Sequence, residues 1–286
     1  MTRAADELMV SQPHLSRTIS ELESELGVKL FDHVGRGIVI NDCGRAFYKR
    51  VVTVFNEMED AKKEVLDIQH RRQTQLCIVT NVSLYIPGLM QLLKTCNPDL
   101  KIVQISAQRR FLLRMLQDGD ADFAICCPPL EETEELKTVP LRFEPGVAIY
   151  PEGHWLETYD TIELSKLQGE EHVSGTQGYG ARDAVDEYFA AKNMEPLKVS
   201  IETGETSAVF RYVEKGLGVA IMPLAMVLQE GTFKNRYTKL DADAGGHLAL
   251  TWRTNKYISE LDRLFIEKTQ EYFAKLESFV EKYRTK

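Results

Sequence analysis

The stretch TRAADELMVSQPHLSRTISELESELGVKLFDHVGRGIVIN, residues 2–41, decides the fold of the first part of the chain. It predicts a short helix, a tight turn, a longer amphipathic helix and a two-stranded hairpin. Thr2 is a candidate N-cap for the first helix, and Ser11 can cap the second, whose first turn tolerates Pro13. Gly27 stands where helices usually end. This order of elements is typical of a wedge that enters the major groove of DNA.

The second helix has two different faces. Apolar residues recur at steps of four, three and four and predict one buried stripe: Leu15, Ile19, Leu22 and Leu26. The opposite face is polar and includes Arg17, with His14 and Ser16 on its flanks. Polar side chains and free N–H groups at a helix N-terminus suit contact with DNA phosphates. An ordinary surface helix, whose serines and arginine simply face water, is the alternative that these residues leave open.

The length and composition of the chain limit the classes of protein to which it can belong. A chain of 286 residues is expected to form two or three domains. It has no signal peptide and no apolar run near the ~20 residues that cross a bilayer, which predicts a cytoplasmic protein without membrane contact. The five cysteines form no C-x-x-C pair, so reduced thiols are expected, with a structural role for the adjacent Cys126 and Cys127.

The charge distribution is compatible with DNA binding. The whole chain carries a net charge of −8, but seven basic and seven acidic side chains balance each other in the first fifty residues. DNA affinity would then come from local basic residues and from dimerisation.

The segment AADELMVSQPHLSRTISELESELGVKLFDHVGRG resembles the N-terminal signature of LysR-type transcriptional regulators. The resemblance implies that six residues contact base edges, phosphates or the minor groove: Gln12, Pro13, His14, Ser16, Arg17 and, at the hairpin tip, Arg36. The sequence departs from the family pattern at His33, where arginine is usual, and at residues 41–44, although Asn41 can still cap the next helix. Family members carry a further helix before Thr2, so the resemblance implies a head that lacks its first helix.

A long helical segment follows the hairpin. Its apolar residues recur at alternating steps of four and three, which makes a three-heptad seam that favours a partner helix: Phe47, Val51, Val54, Met58, Ala61, Val65 and Ile68. Packing on the core of its own domain is the alternative. A two-fold dimer would read a roughly palindromic operator in double-stranded DNA. We also expect dimers to associate into a homotetramer.

Strand and helix patterns alternate from Gln75 onward and indicate α/β architecture with mainly parallel sheets. The predicted strands are 76–79, 100–106, 122–126, 147–150, 199–202, 218–222 and 248–252. The predicted helices are 87–95, 111–118, 182–192, 207–215 and a long C-terminal helix. The motifs ADFAI and YVEKGLGVAIMP resemble the periplasmic-binding-protein-like effector domain of LysR regulators. The expected fold class is therefore an α/β effector domain of two Rossmann-like subdomains, preceded by an all-α winged helix-turn-helix head and a long linker helix. The expected boundaries are 1–43 for the head, 44–72 for the linker helix and 73–286 for the effector domain, with subdomain I at about 73–142 and 241–286 and subdomain II at about 143–240.

A small-molecule effector is expected in the cleft between the subdomains. Three loops supply hydroxyl and N–H groups that would favour a carboxylate or similar anion. The candidate effector-binding residues are Ser83, Leu84, Thr176, Gln177, Gly178, Thr203 and Thr206. Ser and Thr before helices usually act as caps, and the match to family cleft positions is what singles these residues out.

No catalytic constellation is visible in the sequence. The histidines are scattered, and neither an H-E-x-x-H nor a Walker motif occurs. We therefore expect a non-enzymatic regulator without cofactor or metal, whose DNA binding or bending is controlled by the effector. The rival hypothesis is a small-molecule sensor with a degenerate head that does not bind DNA.

Overall fold

The chain forms two units, Met1–Glu59 and Asp60–Lys286. The structure, a computed structural model, describes residues 1–35, 37–69, 75–233 and 235–284. None of the helices in these ranges combines the length and apolarity that a membrane crossing requires. The N-terminal unit begins with five elements: α1 (Thr2–Glu7), α2 (Gln12–Leu26), β1 (Phe31–Val34), β2 (Gly37–Ile40) and α3 (Asp42–Ile68), the last of which continues into the second unit.

Helix boundaries in the N-terminal unit follow local capping chemistry. Ser11 has an extended backbone and its hydroxyl accepts a hydrogen bond from the His14 N–H at 3.4 Å, so the predicted cap of α2 is confirmed. Gly27 ends α2 in the left-handed conformation at φ 71°. The predicted Thr2 cap is wrong: α1 starts at Thr2, its N-cap is Met1, and no side chain caps it.

Asn41 ties α3 to the hairpin. Its Oδ1 accepts from the Gly44 N–H at 2.9 Å, which confirms it as the cap of α3. Its Nδ2 donates to the Lys29 carbonyl at 3.0 Å and to Asp32 Oδ1 at 3.2 Å. One side chain thus joins the start of α3, the segment after α2 and the first hairpin strand.

We predict that Gly44→Ala destabilises the N-terminal unit by about 2 kcal/mol, because overpacked sites cost 1–3 kcal/mol. A Cβ on Gly44 would overlap the Leu30 carbonyl oxygen and would lie 2.6 Å from Ile40 Cγ1. Hydrogen exchange of the α2 amides, followed by mass spectrometry, should show faster exchange in the variant. Gly37→Ala is the control, since among the described residues its Cβ would meet only the Val34 oxygen, at 3.6 Å. Equal protection of α2 in the two variants would contradict this packing.

The C-terminal unit alternates strands and helices. Its strands are β3 (Gln75–Thr80), β4 (Lys101–Ser106), β5 (Phe123–Cys126), β6 (Leu136–Ile149), β7 (His172–Gly175), β8 (Val199–Thr203), β9 (Ala220–Pro223), β10 (Tyr237–Lys239) and β11 (Gly245–Arg253). Its helices are α4 (Ile86–Cys96), α5 (Arg109–Asp118), α6 (Gly180–Ala191), α7 (Thr206–Glu214), α8 (Leu224–Glu230) and α9 (Glu260–Arg284).

Two lobes share the long strand β6. In lobe I, which we define by β3, β4, β5, β11 and residues 136–145 of β6, the strand order is β6-β11-β5-β3-β4. In lobe II, defined by β7, β8, β9, β10 and residues 146–149, β6 pairs with β9 and β10. Strands β7 and β8 form a separate parallel pair that bridges to Val219. The chain therefore crosses between lobes along β6 and returns just before β11.

The expectation of mainly parallel sheets is wrong. Strand β3 is parallel to β4 and β5, but β11 is antiparallel to β5 and β6, and β6 is antiparallel to β9 and β10. The sequence prediction placed only the end of β6 as a strand. The pairing of residues 136–145 with a strand a hundred residues later closes lobe I with antiparallel strands, and no local pattern reports such a pairing.

Candidate functional site

The N-terminal face of α2 is open to solvent. Gln12, Pro13, His14 and Arg17 are exposed, and Ser16 is half-buried. The Arg17 side chain is 81% exposed, and its Nε lies 2.8 Å from Glu21 Oε1 one turn later. Exposed pairs of this kind contribute little to stability, so a phosphate or base edge can replace Glu21 at low cost. The structure thus leaves the predicted DNA-contacting face of α2 accessible.

The predicted buried stripe of α2 is only partly buried. Leu15, Ile19 and Leu22 are half-buried, and Leu26 is 39% exposed. The side chain that α2 does bury is Glu23, which sequence reasoning missed. Its carboxylate accepts from Lys29 Nζ at 2.6 Å and from the Leu30 N–H at 2.9 Å, and these two bonds lower its pKa.

The hairpin after α2 has a regular antiparallel register, from the Phe31–Ile40 pair to the Val34–Gly37 pair. His33 is exposed on β1. The predicted wing contact, Arg36, lies outside the described residues.

The predicted effector residues fall in two places at the rim of the cleft. In lobe I, Ser83 begins a 3-10 turn that includes Leu84, and its hydroxyl lies 2.6 Å from that of Ser106. In lobe II, the Thr176 N–H donates to the Thr203 carbonyl at 3.1 Å, which brings two of the three loops together. Gln177 is exposed, while Thr176, Gly178, Thr203 and Thr206 are half-buried.

Gly178 and Gly180 allow the loop before α6 in lobe II to contact lobe I directly. The Arg109 N–H donates to the Gly178 carbonyl at 3.0 Å. Gly178 has φ +90°, and a Cβ there would lie 2.7 Å from Gln108 Cβ. A Cβ on Gly180 would lie 2.6 Å from Val82 Cγ1. The cleft is therefore closed at this loop, and any larger side chain would hold the lobes apart.

The side chain of Asn81 holds the lobe II loop against lobe I. Its side chain exchanges hydrogen bonds with the backbone of Cys127, at 2.8 Å to the carbonyl and 3.1 Å from the N–H. Its own carbonyl accepts from the Gly180 N–H at 3.3 Å. One buried amide thus connects β3, the end of β5 and the lobe II loop. The sequence places Asn81 in the cleft loop that follows the first strand, but it does not predict these hydrogen bonds.

A partly open cavity of ≈30 Å³ lies between the lobes at the hinge end of the cleft. Its wall is mostly apolar, with Val82 and Leu248 from lobe I and Ile221 and Met222 from lobe II. None of the predicted effector residues lines it. No local sequence pattern predicts this cavity, because its wall is assembled from apolar residues far apart in the chain.

A buried polar cluster adjoins the cavity. Glu144 lines the cavity, and its Oε1 accepts from the Ala225 N–H at 2.9 Å, while its Oε2 lies 3.3 Å from Arg142 Nη2. Arg142 Nε lies 3.2 Å from Glu277 Oε2. Burial raises the pKa of Glu144, and burial followed by the nearby Glu144 charge raises the pKa of Tyr85. Burial thus opposes ionisation at both groups, and at Glu144 the Arg142 charge counteracts part of that effect.

Both buried cysteines keep their protons. Burial raises the pKa of Cys126 to about 11 and raises that of Cys127 further. A thiol in that state is a poor nucleophile, which agrees with the structural role expected from the sequence.

Comparisons with known proteins match the two units separately. Residues 1–45 match the family described as "Bacterial regulatory helix-turn-helix protein, lysR family", and residues 69–274 match "LysR substrate binding domain". The chain is 31% identical over 237 residues to the hydrogen peroxide-inducible genes activator of Haemophilus influenzae, covering 81% of this chain and 77% of that protein. It is 26% identical over 280 residues to YybE of Bacillus subtilis, an HTH-type transcriptional regulator, covering 96% of this chain and 94% of the relative.

Solved structures show the same fold. A variant of full-length OxyR from Pseudomonas aeruginosa superposes with a TM-score of 0.69 at 21% identity, over 95% of this chain and 88% of that one. Full-length BenM superposes with a TM-score of 0.60 at 22% identity, over 97% and 91% of the two chains. With a helix-turn-helix head, an effector-domain fold of two lobes and family matches across both, the chain belongs to the LysR family of bacterial transcriptional regulators.

Proposed function

We propose that this regulator acts in the cytoplasm and reads operator DNA through the N-terminal face of α2 and through the wing. The observation that carries the proposal is the open face of α2, on which Gln12, His14 and Arg17 project from a helix whose first turn is capped by Ser11. We propose Pro13 and Ser16 as further contact residues on α2 and Arg36 as the contact residue of the wing, the hairpin that follows α2. Phosphate contacts would position the helix and base-edge contacts would give specificity.

Helix α3 supports a dimer of these heads. Four seam residues are each more than half exposed: Val54, Met58, Val65 and Ile68. In the C-terminal unit, the polar face of α3 packs inward, through Asp60 with Arg253 and Lys63 with Asp122. The apolar stripe, with Phe47, Val51 and Ala61 completing it, is thus left for a partner helix. The proposed domain limits are those given above, with residues 44–72 as the linker.

The effector acts in the cleft of the C-terminal unit. The rim residues Ser83, Leu84, Thr176, Gln177, Gly178, Thr203 and Thr206 would admit the ligand and contact it. Since the lobes touch through Gly178 and Gly180, a ligand with different affinity for open and closed clefts would shift the lobes. In a homotetramer that shift would change the spacing of the heads and the bend in the DNA.

DNase footprinting of the region upstream of the gene tests the proposed function. A dimer of heads should protect two half-sites of a roughly palindromic sequence, with centres on one face of the duplex and about 10–10.5 bp or a multiple apart. Protection of a single half-site would contradict the dimer. A protein that binds small molecules but protects no DNA would favour the sensor hypothesis.

We predict that Met58→Arg dissociates the dimer, because it places an exposed charge in the middle of an apolar seam. Sedimentation velocity at micromolar concentration should show a shift from dimer to monomer. Thr53→Arg is the control, since Thr53 is exposed on the same helix but outside the seam. If both variants sediment like the unmodified protein, the seam does not hold the dimer together.

A further inference from the structure

Two connections join the lobes of the C-terminal unit. The first is the hinge, where β6 passes from lobe I to lobe II and the chain returns just before β11. The second lies at the loop before α6, where hydrogen bonds cross from lobe II to the loops that follow β3 and β4. We call this second connection the clasp and define it by Asn81, Gln108, Arg109, Gly178 and Gly180. The hinge consists of paired strands and the clasp of loop contacts, so the clasp is the connection that can release while the fold stays intact.

The hydrogen bonds of the clasp centre on the Gly178 carbonyl. This oxygen accepts from the Arg109 N–H at 3.0 Å and from Asn81 Nδ2 at 3.4 Å. The Gly180 N–H donates to the Asn81 carbonyl at 3.3 Å. Arg109 is the first residue of α5 and Gly180 the first residue of α6, so neither N–H has an acceptor within its own helix. Each lobe thus satisfies the first N–H of a helix in the other lobe.

The Arg109 side chain adds a charged contact across the cleft. Its Nη2 donates to the Pro129 carbonyl of lobe I, and its Nη1 lies 3.5 Å from Glu187 Oε1 on α6 of lobe II. The two charged side chains are 32% and 56% exposed, so solvent screens the pair and its own contribution is small. The bond to Pro129 holds the guanidinium in the position that faces lobe II. Arg109 therefore contacts lobe II through its backbone and through its side chain.

Lobe II holds its part of the clasp in shape by itself. Asp183 Oδ1 accepts from the Gly178 N–H at 2.7 Å, and the Asp183 N–H donates to the Tyr179 carbonyl at 3.0 Å. Gly178 has φ +90°, a conformation that residues with a side chain rarely adopt. These contacts lie within lobe II, so the loop and the first turn of α6 move together when the lobes part.

The clasp adjoins the residues proposed to contact the effector. Asn81 stands two residues before Ser83, and Gln108 stands two residues after Ser106, whose hydroxyl lies 2.6 Å from that of Ser83. Gly178 belongs both to the clasp and to the proposed effector residues. An effector at the rim would therefore contact the same loops that the clasp joins, and it would shift the clasp whenever it binds the open and closed clefts with different affinity.

We propose that the clasp is the switch of the effector cleft. The cleft is closed when Gly178 and Gly180 lie against lobe I, and it opens when these contacts release and lobe II turns about the hinge strands. Arg109 is the positioning residue of the closed state. The proposal rests on the effector-binding role of the cleft given above and specifies the contact through which the cleft opens and closes.

Matched glycine variants of the full chain test the switch. A Cβ on Gly180 would lie 2.6 Å from Cγ1 of Val82, a buried and β-branched side chain that cannot easily turn away. Helices favour alanine over glycine, so the cost of Gly180→Ala should fall on the contact between the lobes. Gly204→Ala is the control, since its Cβ would meet none of the described residues within 4 Å. Hydrogen exchange with residue resolution, by mass spectrometry with electron-transfer fragmentation, should show the Arg109 amide exchanging about tenfold faster or more in Gly180→Ala. Equal exchange of that amide in the two variants would overturn the proposal.

The Gly178 amide distinguishes movement of the lobes from unfolding of the loop. Its hydrogen bond to Asp183 lies within lobe II, so it persists when the lobes part. Exchange of the Gly178 amide should therefore be equal in Gly180→Ala and Gly204→Ala. Acceleration of the Gly178 amide together with the Arg109 amide would show local unfolding and would overturn the switch.

Matched arginine variants test the role of Arg109. Arg109→Met should raise the exchange rate of the Gly180 amide about two- to fivefold, the effect of one exposed ion pair. Arg110→Met is the control, because Arg110 stacks on the Phe111 ring of its own helix, at 4.8 Å from the ring centroid. Equal exchange of the Gly180 amide in both variants would overturn the role of Arg109.

Footprinting with the unmodified chain separates this proposal from the proposed function. Clasp release in Gly180→Ala without DNA protection by the unmodified chain would overturn the regulator function and leave the clasp standing. DNA protection together with equal exchange in all variants would do the reverse.

Discussion

Lys256→Met should lower the free energy of unfolding of the C-terminal unit by about 3–5 kcal/mol, the usual cost of removing one partner from a buried ion cluster. The Lys256 side chain is 1% exposed, and its Nζ lies 2.6 Å from Asp262 Oδ2 and 3.4 Å from Asp122 Oδ1. Lys63 Nζ, from α3, lies 2.7 Å from the same Asp122 oxygen. Methionine has a similar volume to lysine but no charge, so the variant would remove the cation that Asp122 and Asp262 share.

Each carboxylate of this cluster also has a structural role. Asp262 accepts from the Ser259 N–H and hydroxyl, and Ser259 accepts from the Asp262 N–H, which forms a capping box at the start of α9. Asp122 accepts from the Cys77 N–H at 2.9 Å. Burial raises the pKa of Asp122, but the charges of Lys256 and Lys63 lower it by more, so the pKa of this carboxyl lies below its usual value. Its contribution to stability is therefore present above the unfolded pKa of about 3.9 and is lost as the pH falls through the folded value.

Urea unfolding followed by tryptophan fluorescence measures the effect, since Trp252 lies in β11 of this unit. Lys275→Met is the control, because Lys275 pairs with Glu271 at 2.6 Å but is 70% exposed, and exposed pairs contribute little. A loss below about 1 kcal/mol in Lys256→Met would show that the cluster is hydrated or rearranged rather than buried.

Arg17→Ala should weaken operator binding by about ten- to a hundredfold, because a contact to a base edge or phosphate is worth about 1–3 kcal/mol. The slope of log affinity against log salt should fall by about one if the contact is to a phosphate. Fluorescence anisotropy with a labelled operator duplex gives both quantities. The variant should keep the melting temperature of the C-terminal unit, since Arg17 belongs to the other unit.

Arg3→Ala is the matched control for Arg17→Ala. Arg3 forms an equivalent pair with Glu7, Nε to Oε1 at 3.0 Å, on α1 rather than on the helix assigned to the groove. A general effect of charge would weaken DNA binding equally in both variants. A loss of DNA binding in Arg17→Ala that comes with unfolding of the C-terminal unit would contradict the assignment of DNA binding to the N-terminal unit alone.

The helix boundaries of the N-terminal unit could be predicted from sequence because they depend on local capping residues. Ser11, Gly27 and Asn41 act within a few residues of their own positions, so the boundaries of α2 and α3 could be predicted. The extent to which α2 is buried could not be predicted, because it depends on which other residues cover the apolar stripe of this helix. Glu23 was missed for a related reason: a charged residue predicts exposure, and only the fold shows that Lys29 and Leu30 meet it.

In the C-terminal unit, helices and strands were harder to predict from sequence where the hydrophobic periodicity is lost. Helix α8 was missed because Leu224–Leu228 are all buried, which removes the amphipathic pattern. The first part of β6 contains Pro140 and Pro145, which obscure a strand, and its partner β11 is distant in sequence. The rim loops could be placed by family resemblance, whereas the hinge cavity depends on the relative position of both lobes.

The most direct measurement is the equilibrium affinity of the full chain for a duplex from its own upstream region, compared with a shuffled duplex of the same composition, at one physiological salt concentration. Sequence-specific regulators bind their operators about 10³-fold or more tightly than they bind non-specific DNA. We predict a preference of that size, lost largely in Arg17→Ala and retained in Arg3→Ala. Equal affinity for the two duplexes would contradict DNA reading by this head.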